Sequence, residues 1–319
     1  MARSSPPYPK HATDEPFRRT VPLMGTFVTI EVVGSAPLRC PDPTETNDAI
    51  NRAFDWFHRV ERCCTRFDPQ SEVMQIASRA GVAVPVSAIL FEAVQFALAV
   101  AVETGGAFDP TVGYAMETRG FNREYRTGQL VRTAMPAGAV NYRDVRLDDA
   151  EKTITLLRPL ILDLGAVAKG LAIDLAAREL QTFANFAVDA GGDLYLAGSN
   201  AKGEPWSVGI RHPRRDQELL DSVRVSNRAV CTSGDYERRT SPGPDGHHIL
   251  DPRTGDSAQS VASATAIAPT AMMTDALSTA AFVLGPAEGI RLFERMGVEG
   301  LIVTPSLERF ATKGFPSVF

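Results

Sequence analysis

The sequence predicts an α+β fold, because strands and helices follow one another without the regular βα alternation of a doubly wound sheet. Two periodicities carry this reading. "TFVTIEVV" alternates as a strand does, whereas "NDAINRAFDWFHRVERCC" repeats its apolar residues at helical spacing. No clean linker divides the 319 residues, so the chain reads as a single domain, residues 20–319, behind a disordered Pro-rich leader, residues 1–19.

The elements follow in order. "TFVTIEVV" is the first strand. In the helix after it, Ile50, Phe54, Phe57 and Val60 share one face. "TRFDPQSEVMQI" is a loop entering a short helix. Ser87 caps "AILFEAVQFALAVAVET", which Gly105-Gly106 stops; Glu92, Gln95 and Glu103 interrupt its apolar surface, so it suits a protein core rather than a membrane. Residues 107–145 are loop-rich. "TITLL" and "LILDLG" read as strands, with a helix from about Lys169 to Phe183 behind them. "FAVDAGGDLYLAG" is strand, glycine turn, strand, and "WSVGIRHP" another strand. "RAVCTSGDYERR" and "HHILDPRTG" are strand ends running into loops. "VASATAIA" is a strand, "TDALSTAAFVL" a helix, and "PAEGIRLFERMG" a helix with Pro286 at N1 and Gly297 at C′. "EGLIVT" closes the sheet.

Composition removes several function classes. A net charge of −5 gives no electrostatic footprint for nucleic acid or an anionic membrane. No stretch reaches transmembrane length. Cys40, Cys63, Cys64 and Cys231 lack metal-ligand spacing and read as reduced, buried thiols. Arg18-Arg19 before an apolar run suggests a twin-arginine export signal, but the run alternates, carries Glu31 and has no small-residue cleavage site. With no lipid-anchor cysteine before it, the expected location is cytoplasmic.

Standard nucleotide motifs are missing. There is no G-x-G-x-x-G, H-E-x-x-H or G-x-S-x-G, and "GAVAKG" lacks the glycine before Lys169 and the Ser/Thr after it that a phosphate loop needs. What remains is a set of polar residues in small or apolar surroundings. In "DLGAVAKGLAID", Asp163 and Lys169 must either pair internally or face an ionic ligand, since unpaired buried charge is costly. Asp275 and Thr279 stand i, i+4 near the expected N-terminus of their helix. They either offer two hard oxygen ligands to Mg²⁺, with a phosphate completing the shell, or act locally, Asp275 as a cap and Thr279 on its own backbone. Asp189 before Gly191-Gly192 suits a tight turn. Asp235 with Arg238 and Arg239 suits a surface charge cluster.

Taken together, "MGTFVTI", "TRFDPQSEV", "AFDPTVG", "DLGAVAKGLAID", "VDAGGDLYLAG", "WSVGIRHP", "CTSGDYERR", "HHILDPRTG" and "TDALSTAAFVLG" resemble the ApbE family of FAD:protein FMN transferases, in that family's order across residues 20 to 304. The resemblance implies two intertwined β-rich subdomains with flanking helices and a flavin site between them. It implies Mg²⁺-dependent cleavage of FAD, transfer of FMN through a phosphoester bond to a threonine of a target flavoprotein, and release of AMP. By the same analogy the Ala166 carbonyl, Asp275 and Thr279 hold Mg²⁺. Met24, Phe67, Ala107, Phe108, Asp109, Asp163, Lys169 and Ile249 contact FAD. His248 is the implied base for the threonine proton, with a pKa near neutrality expected; His247 and Asp251 have open roles.

Two departures stand out. Thr274 replaces the family's usual alanine, which adds a hydroxyl beside the expected metal. Residues 132 to 145 form a shorter segment than is common in the family. Two other readings compete: an FAD pyrophosphatase giving FMN and AMP, and a non-catalytic flavin-binding protein. Asp275, Thr279, Lys169 and His248 argue against the last, because storage needs neither a metal site nor a base.

Overall fold

The computed structural model describes residues 16–34, 42–125, 127–131, 138–239 and 246–318. The class is α+β. Strand β1 (Phe17–Leu23) pairs with β2 (Thr26–Val33) from Phe17↔Val32 to Leu23↔Thr26. The hairpin turn is Met24-Gly25, both at positive φ (50° and 74°), as the twist of a two-residue hairpin requires. Thus Phe17, Arg18 and Arg19, expected in the leader, lie in a strand, because β2 satisfies their backbone groups; residues 1–15 lie outside the described residues. In β2, Val28, Ile30 and Val32 are fully buried, as the alternation predicts.

Helix α1 (Pro43–Cys64) starts from Asp42, whose side chain accepts the Thr44 and Glu45 N–H groups, and Ile50, Phe54, Phe57 and Val60 are buried along it. Ser71 caps α2 (Glu72–Ala77) and Ser87 caps α3 (Ala88–Glu103). A small antiparallel sheet orders β3 (Ala83–Pro85), β5 (Thr153–Leu156) and β4 (Val145–Asp148). Between them the loop-rich stretch contains α4 (Gly113–Thr118), which has no apolar period for the sequence reading to catch.

After α5 (Ala168–Glu179) come β6 (Asn185–Ala190), β7 (Asp193–Ala197), β8 (Trp206–Arg211), β9 (Leu219–Val225) and β10 (Arg228–Gly234). Then follow β11 (Ser263–Ala268), α6 (Ala271–Leu284), α7 (Pro286–Arg295), β12 (Glu299–Val303) and β13 (Arg309–Ala311). The main sheet runs β1-β2-β6-β7-β10-β11-β12-β13, all antiparallel. β2 and β6 are neighbours although α1 to α5 and the small sheet lie between them in sequence, so the parts of the chain interleave.

The helices pack on one face of this sheet around Phe57, Leu171, Leu277 and Phe282. The β8–β9 hairpin covers part of the other, where Ile210 and Val223 meet Val230, Ile267 and Leu301. β11 is buried at all six residues and, apart from Ile267, is built from small ones. No helix among the described residues is long and apolar enough to cross a membrane.

Four expected elements differ. "LILDLG" is buried but forms no strand: the Asp163 N–H donates to the Pro110 carbonyl instead of a ladder. β9 and β13 were not anticipated, so β12 does not close the sheet. "HHILDPRTG" makes only isolated bridges, Arg239↔His247 and Leu250↔Ser257. α5 stops at Glu179 rather than Phe183. Cys63, Cys64 and Cys231 are free and buried, and burial pushes the Cys63 thiol up to about 11; Cys40 lies outside the described residues.

α5 and α6 meet at unusually short range. A Cβ on Gly170 would run into the Ala271 carbonyl and Met272 Cα, which are backbone and cannot yield. Asp174 of α5 also accepts the Ala271 and Met272 N–H groups at 2.7 and 2.9 Å, capping α6 from a different helix. Gly170→Ala therefore gains about 1 kcal/mol in helix propensity but incurs overpacking of about 1–3 kcal/mol. The expected result is a lower thermal midpoint, and an unchanged midpoint would show that the two helices are free to separate.

Candidate active site

The junction of α5 and α6 brings together two buried carboxylates, Asp193 and Asp275, and the Lys169 ammonium. The turn before α5 is tied by the Leu164 carbonyl, which accepts the Val167 and Ala168 N–H groups. The Gly170 N–H, which a regular helix would direct at residue 166, donates instead to Asp275 Oδ2 at 3.3 Å. This leaves the Ala166 carbonyl outside the helix ladder and ties α5 to the Asp275 carboxylate.

Lys169 points from the first turn of α5 to Asp193, at the start of β7, and forms a hydrogen-bonded ion pair with it. Burial alone would lower the lysine pKa, but Asp193 and Asp275 outweigh it and hold the ammonium above its ordinary value. Asp275 has no ion pair of its own among the described residues. Burial first, and then Asp193, push its carboxyl up to about 7 against the opposing pull of Lys169. Thr279 lies one turn further along, its hydroxyl 3.0 Å from Ser233 Oγ on β10.

α6 starts three residues before the expected point, so Asp275 lies just beyond its first turn and Thr279 one turn further. The N-cap is Thr270, so capping does not account for Asp275, and the Thr279 hydroxyl reaches across to a strand. Thr274 adds no donor to the site: its hydroxyl is taken by Cys231 Sγ at 2.9 Å and by the carbonyls of Thr270 and Ala271. Among the described residues no three His, Cys, Asp or Glu side chains cluster as metal ligands. The donor set is one carboxylate short of a counter-charge, one hydroxyl and one free-standing carbonyl. All are hard oxygens, and so few of them suit Mg²⁺, which keeps waters and takes substrate phosphates.

Asp163 is held internally as well. Arg66 Nε donates to its Oδ2 at 2.6 Å, Gly165 N–H donates to its Oδ1 at 2.9 Å, and the Arg66 guanidinium lies 4.3 Å over the Phe67 ring and donates to the Phe121 carbonyl. Burial would raise the Asp163 pKa, but Arg66 outweighs it and keeps the carboxyl below its usual range. Both charged residues of "DLGAVAKGLAID" thus have protein partners, Arg66 and Asp193, that the sequence reading missed. Both partners stand inside segments that it quoted, "TRFDP" and "VDAGGD", but only the fold brings them across.

His248 lies beside this cluster. Burial, then Arg238 and His247, push its imidazole down to about 3, with Asp163 opposing, so it is neutral at physiological pH. This replaces the expectation of a pKa near neutrality. Its Nδ1 is shut off from solvent with no hydrogen-bond partner among the described residues. His247 is committed to the Ala258 carbonyl and the Ile249 N–H, and Asp251 to Arg253. Arg238, at φ 34°, is felt by Asp163, His248 and Asp275 alike, which sets a cation near all three.

The other candidates make contacts of their own within the protein. Asp109 spends both oxygens on protein, Oδ1 on the Thr111 N–H and hydroxyl and Oδ2 on the Tyr142 N–H. Ala107, Phe108 and Ile249 are buried in the main core. Asp189 accepts the Gly192 N–H in the expected turn. Asp235 is buried and grips Arg214 through two 2.7 Å bonds, so it is no surface cluster. Met24 is half-buried at the hairpin turn, where Gly25 faces the Tyr125 ring. A cleft of about 550 Å³ opens between Arg59, Thr65, Phe67 and Tyr125; of the candidate positions only Phe67 lines it. Arg66 touches both Asp163 and Phe67, and Phe67 lines the cleft.

The profile of the ApbE family matches residues 24–302. This chain belongs to the ApbE family. An FAD:protein FMN transferase of Salmonella typhimurium is 29% identical over 91% of this chain and 84% of its own length. One of Haemophilus influenzae is 31% identical over 66% of this chain, a match that covers 64% of that protein. The ApbE protein of Thermotoga maritima superposes with a TM-score of 0.80 at 31% identity, over 94% of this chain and 97% of its own. The flavin transferase ApbE of Vibrio cholerae gives 0.79 at 25% identity, over 94% and 98%. The α5–α6 charge cluster lies within the span matched by the ApbE profile.

Proposed function

We propose that this chain is an FAD:protein FMN transferase, which with Mg²⁺ moves FMN from FAD onto a threonine hydroxyl of a target flavoprotein and releases AMP. One observation carries the reading: Asp193 and Asp275 are buried beside Lys169, and Asp275 has no paired cation among the described residues. Such an arrangement is costly unless an ionic ligand completes it. Asp275, the Thr279 hydroxyl and the Ala166 carbonyl would hold Mg²⁺, which when bound supplies Lewis-acid stabilisation of charge on the pyrophosphate.

Lys169 offsets charge on the same pyrophosphate, and Arg238 lies close enough to share that work. The threonine oxygen attacks the FMN phosphorus, the bond from that phosphorus to the AMP oxygen breaks, and His248 takes the hydroxyl proton. The 550 Å³ cleft beside Phe67 is large enough for a flavin ring system, and Arg66 connects it to Asp163.

The test is to incubate the purified protein with FAD and Mg²⁺, with and without a candidate flavoprotein domain. AMP is measured, and the acceptor is weighed by mass spectrometry. The expected result is AMP matched one-for-one by FMN on an acceptor threonine. AMP accompanied only by free FMN would replace the transferase with a pyrophosphatase. Tight FAD binding without AMP would leave a flavin-binding protein.

A further inference from the structure

Lys169 stands between two buried carboxylates but bonds to only one of them. Its ammonium pairs with Asp193, whose side chain is 5% exposed, while Asp275 feels the same charge without a direct contact. Asp193 is held rigidly. It opens β7 immediately after the Gly191-Gly192 turn, at φ 67° and 94°, which the Asp189 carboxylate ties through the Gly192 N–H. Opposite it in the β6–β7 ladder stands Ala190. The lysine arrives from a different element, the first turn of α5, on a long flexible stem. Of the pair, Asp193 is therefore the fixed point and Lys169 the part that can swing.

We propose that Asp193 is a positioning residue that holds the Lys169 ammonium away from Asp275 and so keeps that carboxylate open to a divalent cation. The inference rests on the reading of Asp275 as a metal ligand. Asp275 and Lys169 attract one another across a poorly screened space, and Asp193 is the competitor that takes the ammonium's hydrogen bond. Without the Asp193 charge, Asp275 becomes the remaining buried carboxylate for the ammonium. An ammonium on its oxygens would then occupy the place of Mg²⁺, which tolerates little distortion of its shell. The pair thus does two things: it presents a cation to a phosphate-bearing substrate, and it prevents the protein from neutralising its own metal site.

The experiment measures Mg²⁺ or Mn²⁺ affinity of the full chain by calorimetry without FAD, so that turnover is not involved. Asp193→Asn is expected to weaken the cation by about 10–100-fold, the usual range for a residue that orients a metal site from behind. Lys169→Met should bind at least as tightly as wild type. The decisive variant is Asp193→Asn combined with Lys169→Met, in which affinity should return to that of Lys169→Met alone. A double variant as weak as Asp193→Asn would overturn the inference, since Asp193 would then act on the cation directly. Normal affinity in Asp193→Asn would also overturn it. Should the asparagine variant not fold, Asp193→Ala leaves Lys169 equally without its partner and gives the same comparison. Wild type that binds no divalent cation would sink the underlying metal reading, an outcome separable from either of these.

Discussion

Asp275→Asn is expected to lower Mg²⁺-dependent AMP release by about 10²–10³-fold or more, the loss that follows when a preorganised electrostatic group is removed. The substitution keeps the shape and can still accept the Gly170 N–H, so the junction of α5 and α6 should survive. Stability moves the other way. The folded carboxyl is pushed up to about 7, whereas an unfolded aspartate titrates near 3.9. The folded state therefore binds more protons between these values, and wild-type stability falls as pH rises through that window. Metal-free Asp275→Asn should escape this fall and melt above wild type at pH 8, with the difference fading toward pH 4. Added Mg²⁺ should raise the wild-type midpoint and leave the variant unmoved. Equal Mg²⁺ stabilisation of both proteins would remove Asp275 from the metal site.

The second large effect is at His248. His248→Gln should reduce the transfer rate by about 10²–10⁴-fold with little change in FAD affinity, as loss of a general base does. The pH dependence is distinctive. Burial, Arg238 and His247 hold the imidazole near 3 in the free protein, so the acid limb of kcat/KM should lie well below 6.5. An anionic pyrophosphate bound beside it would counter the Arg238 and Lys169 charges, so the limb in kcat should stand higher than that in kcat/KM. A free-enzyme limb at 6.5 that vanishes in His248→Gln would contradict the buried environment. Stability gives a second handle. The unfolded histidine binds its proton as pH falls below about 6.5 while the folded one does not, so wild type loses stability between 6.5 and 3 and the glutamine variant loses less.

Most of the framework was legible because it follows from local patterning. The alternation of Val28, Ile30 and Val32, the helical face of Phe54 and Phe57, and the Ser87 cap each express one element's own periodicity or chemistry. The misses share a cause. "LILDLG" has the composition of a buried strand, but burial without alternation does not say whether a ladder partner exists, and here Pro110 takes the place of one. β9 is defined by its pairing with β8, and β13 has only three residues, all exposed, so neither shows in a local pattern of its own.

The candidate site divides in the same way. Asp275 and Thr279 share a helix, so their i, i+4 spacing brings them to one side of it whatever the rest of the chain does. Lys169 and Ala166 are likewise near one another in sequence. By itself the sequence determined the α+β class, the helices and central strands, the ApbE motifs in order, and the presence of ionic residues in apolar surroundings. Only the tertiary structure decided their partners. It gave Arg66 to Asp163 and Asp193 to Lys169, left Asp275 without an ion pair among the described residues, committed Asp109 to the backbone of Tyr142, and placed His248 where burial and Arg238 displace its titration. The reason is physical: spacing along the chain fixes which face of an element a side chain occupies, but charge is set by distance and dielectric, and both depend on elements far apart in sequence.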